Sequence, residues 1–183
     1  LIICVTRRDS LLRGSHRNCR SVLIRSAHPD DILTQRLREL AFLNGGLRIL
    51  LKDERTGEKD EFCYEGGIVS YVKYLNRAKT AIHPEPVYLS GDKNGTSVEI
   101  ALQYNDSYTE QIYSYANNIG TKEGGTHLSG FKAALTRSIN QYLSTSDLAK
   151  NFKGHLQGED VREGLTAIVN VKLLDPQFEG QTK

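Results

Sequence analysis

The chain predicts an α+β fold, and three observations carry that expectation. After Gly125, Leu128, Phe131, Leu135, Ile139 and Tyr142 recur at helical spacing, the mark of a long amphipathic helix. Val98, Ile100, Leu102 and Tyr104 alternate with Glu99, Ala101 and Gln103, which reads as a strand with one face on a core and one face wet. The order beyond residue 80 is β-β-β-α-β, the pattern of a mostly antiparallel sheet with a helix on one face.

Residues 1–27 stand apart. They carry Arg7, Arg8, Arg13, Arg17, Arg20 and Arg25 against Asp9 alone, a local charge of +5, with no sustained apolar period. Such a composition suits a transit peptide, an out-of-frame read or a cloning junction. The segment is taken as a non-native or disordered leader and set aside from the fold. The chain has no Met and begins at Leu1, which points to a fragment, a processed chain or a trimmed frame.

From residue 28 the character changes. Asp30 and Asp31 cap a helix whose stripe is Leu33, Leu37, Leu40 and Leu43, and Asn44-Gly45-Gly46 ends it. Leu47 to Lys52 and Glu61 to Glu65 form a hairpin around Thr56-Gly57. A second helix, about Ile68 to Asn76, presents Ile68, Val72 and Leu75. The proline-bearing stretch from Lys79 to Pro86 is a connector, which divides the body into residues 28–79 and 80–183. Beyond it lie a strand from Val87 to Ser90, a turn over 91–95, the alternating strand, and a strand from Glu110 to Asn117. The long helix follows, then an irregular polar stretch over 154–164, then a more buried strand from Leu165 to Leu174.

Composition excludes more than it assigns. Net charge is +2, so residues 28–183 sum to −3 once the leader is removed, and any nucleic-acid contact needs a local basic patch. No apolar run approaches the roughly 20 residues of a membrane span. Cys4, Cys19 and Cys63 form no C-x-x-C pair, and their odd number points to reduced thiols in a cytosolic protein. His127 and Thr126 sit in the first turn of the long helix, where local capping and packing explain them, and no second His or Cys stands at ligand spacing. Ser129 lacks a G-x-S-x-G frame. The pairs Gly45-Gly46, Gly66-Gly67 and Gly124-Gly125 read as tight turns rather than a phosphate-cradling loop.

Five runs occur in order: Arg36-Leu-Arg-Glu-Leu-Ala-Phe-Leu-Asn44, Tyr64-Glu-Gly-Gly-Ile68, Glu123-Gly-Gly-Thr-His-Leu-Ser-Gly-Phe131, Asp160-Val-Arg-Glu-Gly-Leu165 and Asp175-Pro-Gln-Phe-Glu-Gly-Gln-Thr-Lys183. From about Pro29 to Lys183 they resemble the ATPase subunit of bacterial type IIA DNA topoisomerases. The gyrase B subunit is the first choice and its topoisomerase IV counterpart the second. The resemblance implies that residues 28–79 are the C-terminal part of a GHKL ATPase lobe. It implies that residues 80–183 are a truncated transducer domain, similar to ribosomal protein S5 domain 2, with a left-handed β-α-β crossover.

The same resemblance implies the chemistry. Gln181 and Lys183 match the loop that contacts the γ-phosphate of ATP, where an ammonium and an amide N–H suit phosphoryl oxygens. Lys132, at the edge of the apolar stripe, matches a basic position lining the cavity for transported DNA, and Arg137 lies opposite the stripe on the same helix. No catalytic or metal-holding residue carries over, because the general base and the magnesium-holding Asn match no segment of this sequence. The expected cofactors of the intact enzyme are ATP and Mg2+. Its expected partners are the gyrase A subunit, a second B subunit in an A2B2 assembly, and duplex DNA without sequence preference. A cytoplasmic location is expected, and the 183 residues alone should be inactive. A non-enzymatic module of S5-like fold that binds nucleic acid or another protein of the complex is the rival reading.

Overall fold

The structure is a computed structural model that describes residues 2–7, 20–23, 31–53, 56–146 and 154–178. The chain forms two compact units, Leu1–Tyr71 and Val72–Lys183, with the division inside a helix. The sequence places the division eight residues later, at the proline-bearing connector.

The first unit is a four-stranded antiparallel sheet in the order β2-β1-β3-β4, backed by α1. Its strands are β1 (Ile2–Arg7), β2 (Arg20–Leu23), β3 (Leu47–Lys52) and β4 (Lys59–Cys63), and its first helix is α1 (Asp31–Leu43). The α1 stripe falls where its spacing demands: Leu37 and Ala41 are buried, and Leu33 and Leu40 pack beside them against Ile49, Leu51 and Phe62. Gly46 at φ 77° ends the helix, and Asn44 donates from Nδ2 to the Leu40 carbonyl at 2.9 Å. Phe42 stacks on Tyr64 at 3.6 Å and on Tyr71 at 4.7 Å between ring centroids.

Two expectations change in this unit. Residues 2–7 lie within the fold: β1 pairs with β3 along its whole length, and Ile3 is buried in the core with α1. The run Ile2-Ile-Cys-Val5 has the β-branched, apolar character of a strand, and β3 offers it an edge that would otherwise be unpaired. Cys4 is disulfide-bonded while Cys63 is a free, exposed thiol, since an odd count still permits one bridge.

The second unit begins inside α2 (Gly67–Leu75) and holds a five-stranded sheet in the order β5-β6-β9-β7-β8. Its strands are β5 (Val87–Lys93), β6 (Thr96–Tyr104), β7 (Gln111–Ala116), β8 (Ile119–Gly120) and β9 (Leu165–Lys172). Its remaining helices are α3 (Thr126–Thr145) and α4 (Gly158–Arg162). The β5–β6 hairpin turns on Asn94 and Gly95 alone, both at positive φ, so β5 runs three residues past its expected end. Strands β6 and β9 are antiparallel, whereas β7 and β9 are parallel and joined through α3. The described fold is therefore α+β with one mixed sheet.

Helix α3 buries Phe131 against Leu102, Leu165, Ala167 and Val169, with Leu135 beside it. The apolar stripe outruns the sheet, and Tyr142 at its far end is 68% exposed. The centre of the opposite face is not wet, although Tyr88 on β5 and Tyr113 on β7 remain exposed at its margins. Ala101 and Gln103 on β6, and Thr166, Ile168 and Asn170 on β9, are all buried. Part of that face meets Asn76, whose Nδ2 donates to Gln103 Oε1 at 3.0 Å. The polar stretch over 154–164 contains α4, closed by a reciprocal cap in which the Gln157 N–H donates to Asp160 Oδ2 at 2.8 Å.

Candidate nucleic-acid interface

Helix α3 starts abruptly from a glycine pair because the backbone there takes positive φ values that side-chain-bearing residues rarely adopt. Gly124 and Gly125 sit at φ 89° and 153°, and a Cβ on Gly125 would stand 2.8 Å from the His127 ring. That ring folds back so that Nε2 lies 3.0 Å from Thr121 Oγ1, which in turn lies 2.7 Å from Ser114 Oγ. The chain Ser114–Thr121–His127 ties the β7–β8 hairpin to the helix start. Burial lowers the His127 imidazole below its ordinary value of 6.5. The fold holds it neutral at pH values where the unfolded chain takes up a proton. Stability therefore declines as pH falls through the unfolded value towards the folded one. Thermal unfolding should show a smaller drop between pH 7 and pH 5 in His127→Gln than in the parent, and equal drops would refute the assignment.

One turn further along, Lys132 reaches an acidic partner. Its Nζ lies 2.6 Å from Glu110 Oε1, and Arg162 Nε lies 2.8 Å from the other oxygen, Glu110 Oε2. Glu110 precedes β7, Lys132 lies on α3 and Arg162 ends α4, so one carboxylate joins three segments. Burial acts to raise the Glu110 carboxyl, and the hydrogen bonds and charges of Lys132 and Arg162 outweigh it, so its proton affinity is below the ordinary glutamate value. Arg137 is exposed and has no ion pair among the described residues. Five residues separate it from Lys132, about 140° around a helix, so the two cations do not share one face.

Gln181 and Lys183 lie outside the described residues. The approach to them is held: Asn117 donates from Nδ2 to the Leu173 carbonyl and accepts from the Leu173 N–H through Oδ1, both at 2.8 Å. Among the described residues no group of three or more His, Cys, Asp or Glu could hold a metal ion. No helix among them is long and apolar enough to cross a membrane.

The sequence and the fold are matched in known proteins. A family model described as DNA gyrase B matches residues 67–183. The chain belongs to the DNA gyrase B family. The DNA gyrase B subunit of Halalkalibacterium halodurans is 61% identical over 154 residues, covering 84% of this chain and 24% of the relative. That of Myxococcus xanthus is 55% identical over 153 residues, covering 84% of this chain and 19% of the relative. The chain thus spans about a quarter or less of these two curated relatives. Among solved structures, the 43K ATPase domain of Thermus thermophilus gyrase B, in complex with an aminocoumarin, aligns with a TM-score of 0.76 at 37% identity. The alignment covers 84% of this chain and 42% of that one. The topoisomerase IV ATP-binding domain of Francisella tularensis aligns less well, with a TM-score of 0.65 at 29% identity over 83% of this chain and 40% of that one.

For this gyrase B family member the structure adds residues that sequence reasoning passed over. Glu110 and Arg162 complete the site of Lys132, although Arg162 stands inside a run that marks the family. A buried polar cluster, Asn76, Gln103, Asn105 and Thr166, links the end of α2 to β6 and β9. Gln103 stands on the face that alternation assigns to water, so the β6 pattern carried no signal of this cluster.

Proposed function

We propose that this chain is part of the ATP-hydrolysing subunit of DNA gyrase and couples ATP binding and hydrolysis to DNA strand passage and negative supercoiling. Residues 80–183 act as the transducer and residues 28–79 as part of the GHKL lobe. The observation that carries the reading is the DNA gyrase B match over residues 67–183, which includes Gln181 and Lys183. Lys183 supplies a compact charge to the γ-phosphate and Gln181 a hydrogen bond, so the loop senses whether that phosphate is present. Lys132 and Arg137 contact DNA phosphates without reading sequence. The partners are the gyrase A subunit, duplex DNA and a second B subunit, and the location is the cytoplasm. ATP is the substrate, with Mg2+ in the intact enzyme, and no described residue is assigned to the metal.

The test is a chimera. The matching segment of the Halalkalibacterium halodurans B subunit is replaced by residues 67–183 of this chain and assayed with the A subunit of that organism. ATP-dependent negative supercoiling is expected, and Lys183→Ala should lower its rate on the order of a hundredfold. The isolated 183-residue polypeptide should turn over no ATP. A chimera that folds but only decatenates would overturn the gyrase assignment in favour of topoisomerase IV. Magnesium-dependent turnover by the isolated polypeptide would overturn its expected inactivity.

A further inference from the structure

The carboxylate between Lys132 and Arg162 changes what the α3 face offers to an anion. Both oxygens of Glu110 are taken, one by each cation, at 2.6 and 2.8 Å. The three side chains together carry a net charge of +1, not the +2 that the two cations would present alone. Their exposures differ: the Arg162 side chain is 15% accessible, Glu110 31% and Lys132 34%. Arg162 is the interior anchor. Its guanidinium folds over the start of α4, with Nη1 2.6 Å from where a Cβ on Gly158 would stand, so it is seated by the glycine as well as by Glu110. Lys132 is the outer cation, on a flexible stem and at the water boundary.

A carboxylate and a phosphodiester present the same chemistry to such a pair: two anionic oxygens that accept from an ammonium and a guanidinium. An ion pair as exposed as Lys132–Glu110 contributes little and exchanges with water and salt. A duplex held at several phosphates has the means to take Lys132 from it. We propose that Lys132 is a phosphodiester contact for which Glu110, anchored by Arg162, is the resident competitor. Glu110 holds Lys132 in the free protein, lowers the net charge of the cluster from +2 to +1 and so lowers its affinity for DNA. A bound phosphate draws Lys132 outward while Arg162 retains Glu110. The proposal rests on the reading that α3 faces DNA, and its test separates the two.

The test uses the whole 183-residue chain and a fluorescent mixed-sequence duplex, titrated by anisotropy across a salt series. Glu110→Gln keeps the shape and the acceptor for Arg162 and removes the competing charge. It should tighten binding by roughly threefold to tenfold at low salt, and steepen the plot of log K against log salt by up to about 0.9, because no carboxylate is left to take up a cation when Lys132 turns to a phosphate. The gain should vanish in Glu110→Gln/Lys132→Gln. If Glu110→Gln fails to fold by circular dichroism, the single changes carry the test. Lys132→Gln should then weaken binding less than Arg137→Gln, because Lys132 gives up a partner when it binds and Arg137 does not. The opposite order would overturn the proposal. A folded Glu110→Gln with unchanged affinity and slope, beside an Arg137→Gln that weakens binding, would overturn the competitor and leave the DNA reading standing. No duplex binding by either the parent or Glu110→Gln would overturn both.

Discussion

Gly164→Ala should destabilise the second unit by about 4 kcal/mol and lower its unfolding midpoint by roughly 15 °C. Gly164 sits at φ 68° in the turn that carries the chain from α4 into β9. An L-residue there costs about 1–2 kcal/mol from backbone conformation alone. The larger part is steric. A Cβ would stand 2.5 Å from the Asn105 carbonyl oxygen and 2.6 Å from that of Ser107, both backbone atoms. Neither can retreat freely, because the Asn105 N–H donates to the Gly164 carbonyl at 2.9 Å and so clamps the two segments together. The contact guides β9 into the sheet between β6 and β7, so relief by movement would disturb the central strand. Thermal denaturation by circular dichroism checks this. A loss below about 1 kcal/mol would mean that the turn has another conformation open to it.

Asn76→Ala should cost a similar amount, about 4 kcal/mol, by a different route. Its Oδ1 accepts from Thr166 Oγ1 at 2.7 Å and from Asn105 Nδ2 at 3.3 Å, and its Nδ2 donates to Gln103 Oε1 at 3.0 Å. All four residues are at most 5% exposed. Truncation leaves the Gln103 carbonyl and the Thr166 hydroxyl without these partners, and each buried polar group so abandoned costs about 1–3 kcal/mol. Thr166→Val should cost much less, about 1 kcal/mol, because Asn76 Oδ1 still accepts from Asn105. In the double variant the costs should fall short of additivity by at least about 0.5 kcal/mol, the signature of a shared network. Additive costs, or a small effect of Asn76→Ala, would show that water replaces the carboxamide.

The candidate site was legible only in part. Lys132 was found through a family run and Arg137 through its helix, and both are where helical spacing puts them. Their environments were not legible. Lys132 looks like a free cation in one dimension because nothing near it in sequence is acidic, whereas its partner Glu110 lies on the other side of the β7–β8 hairpin. The wet face assigned to β6 failed for the same reason. Alternation tells which residues share a face, and it does not tell whether a second layer covers that face. The strand over residues 2–7 went unread for a different reason: the arginine density of residues 1–27 outweighed the strand-like Ile2-Ile-Cys-Val5 that the sheet accepts.

The sequence by itself determined the local elements and the family. Period-3.6 and period-2 patterns located α1, α3 and β6, the hairpin strands were placed to within about three residues, and five ordered runs pointed to the gyrase B match. These signals reside in neighbours a few residues apart, so one dimension suffices. Only the tertiary structure decided the charge state of the α3 face and the burial of the polar cluster. Arg162 and Glu110 are 52 residues apart, and Thr166 and Asn76 are 90 apart. An ion pair or a buried hydrogen bond forms when the fold brings such residues within reach and removes the water that would otherwise serve them. That depends on the sheet order β5-β6-β9-β7-β8, which places the last strand between two earlier ones.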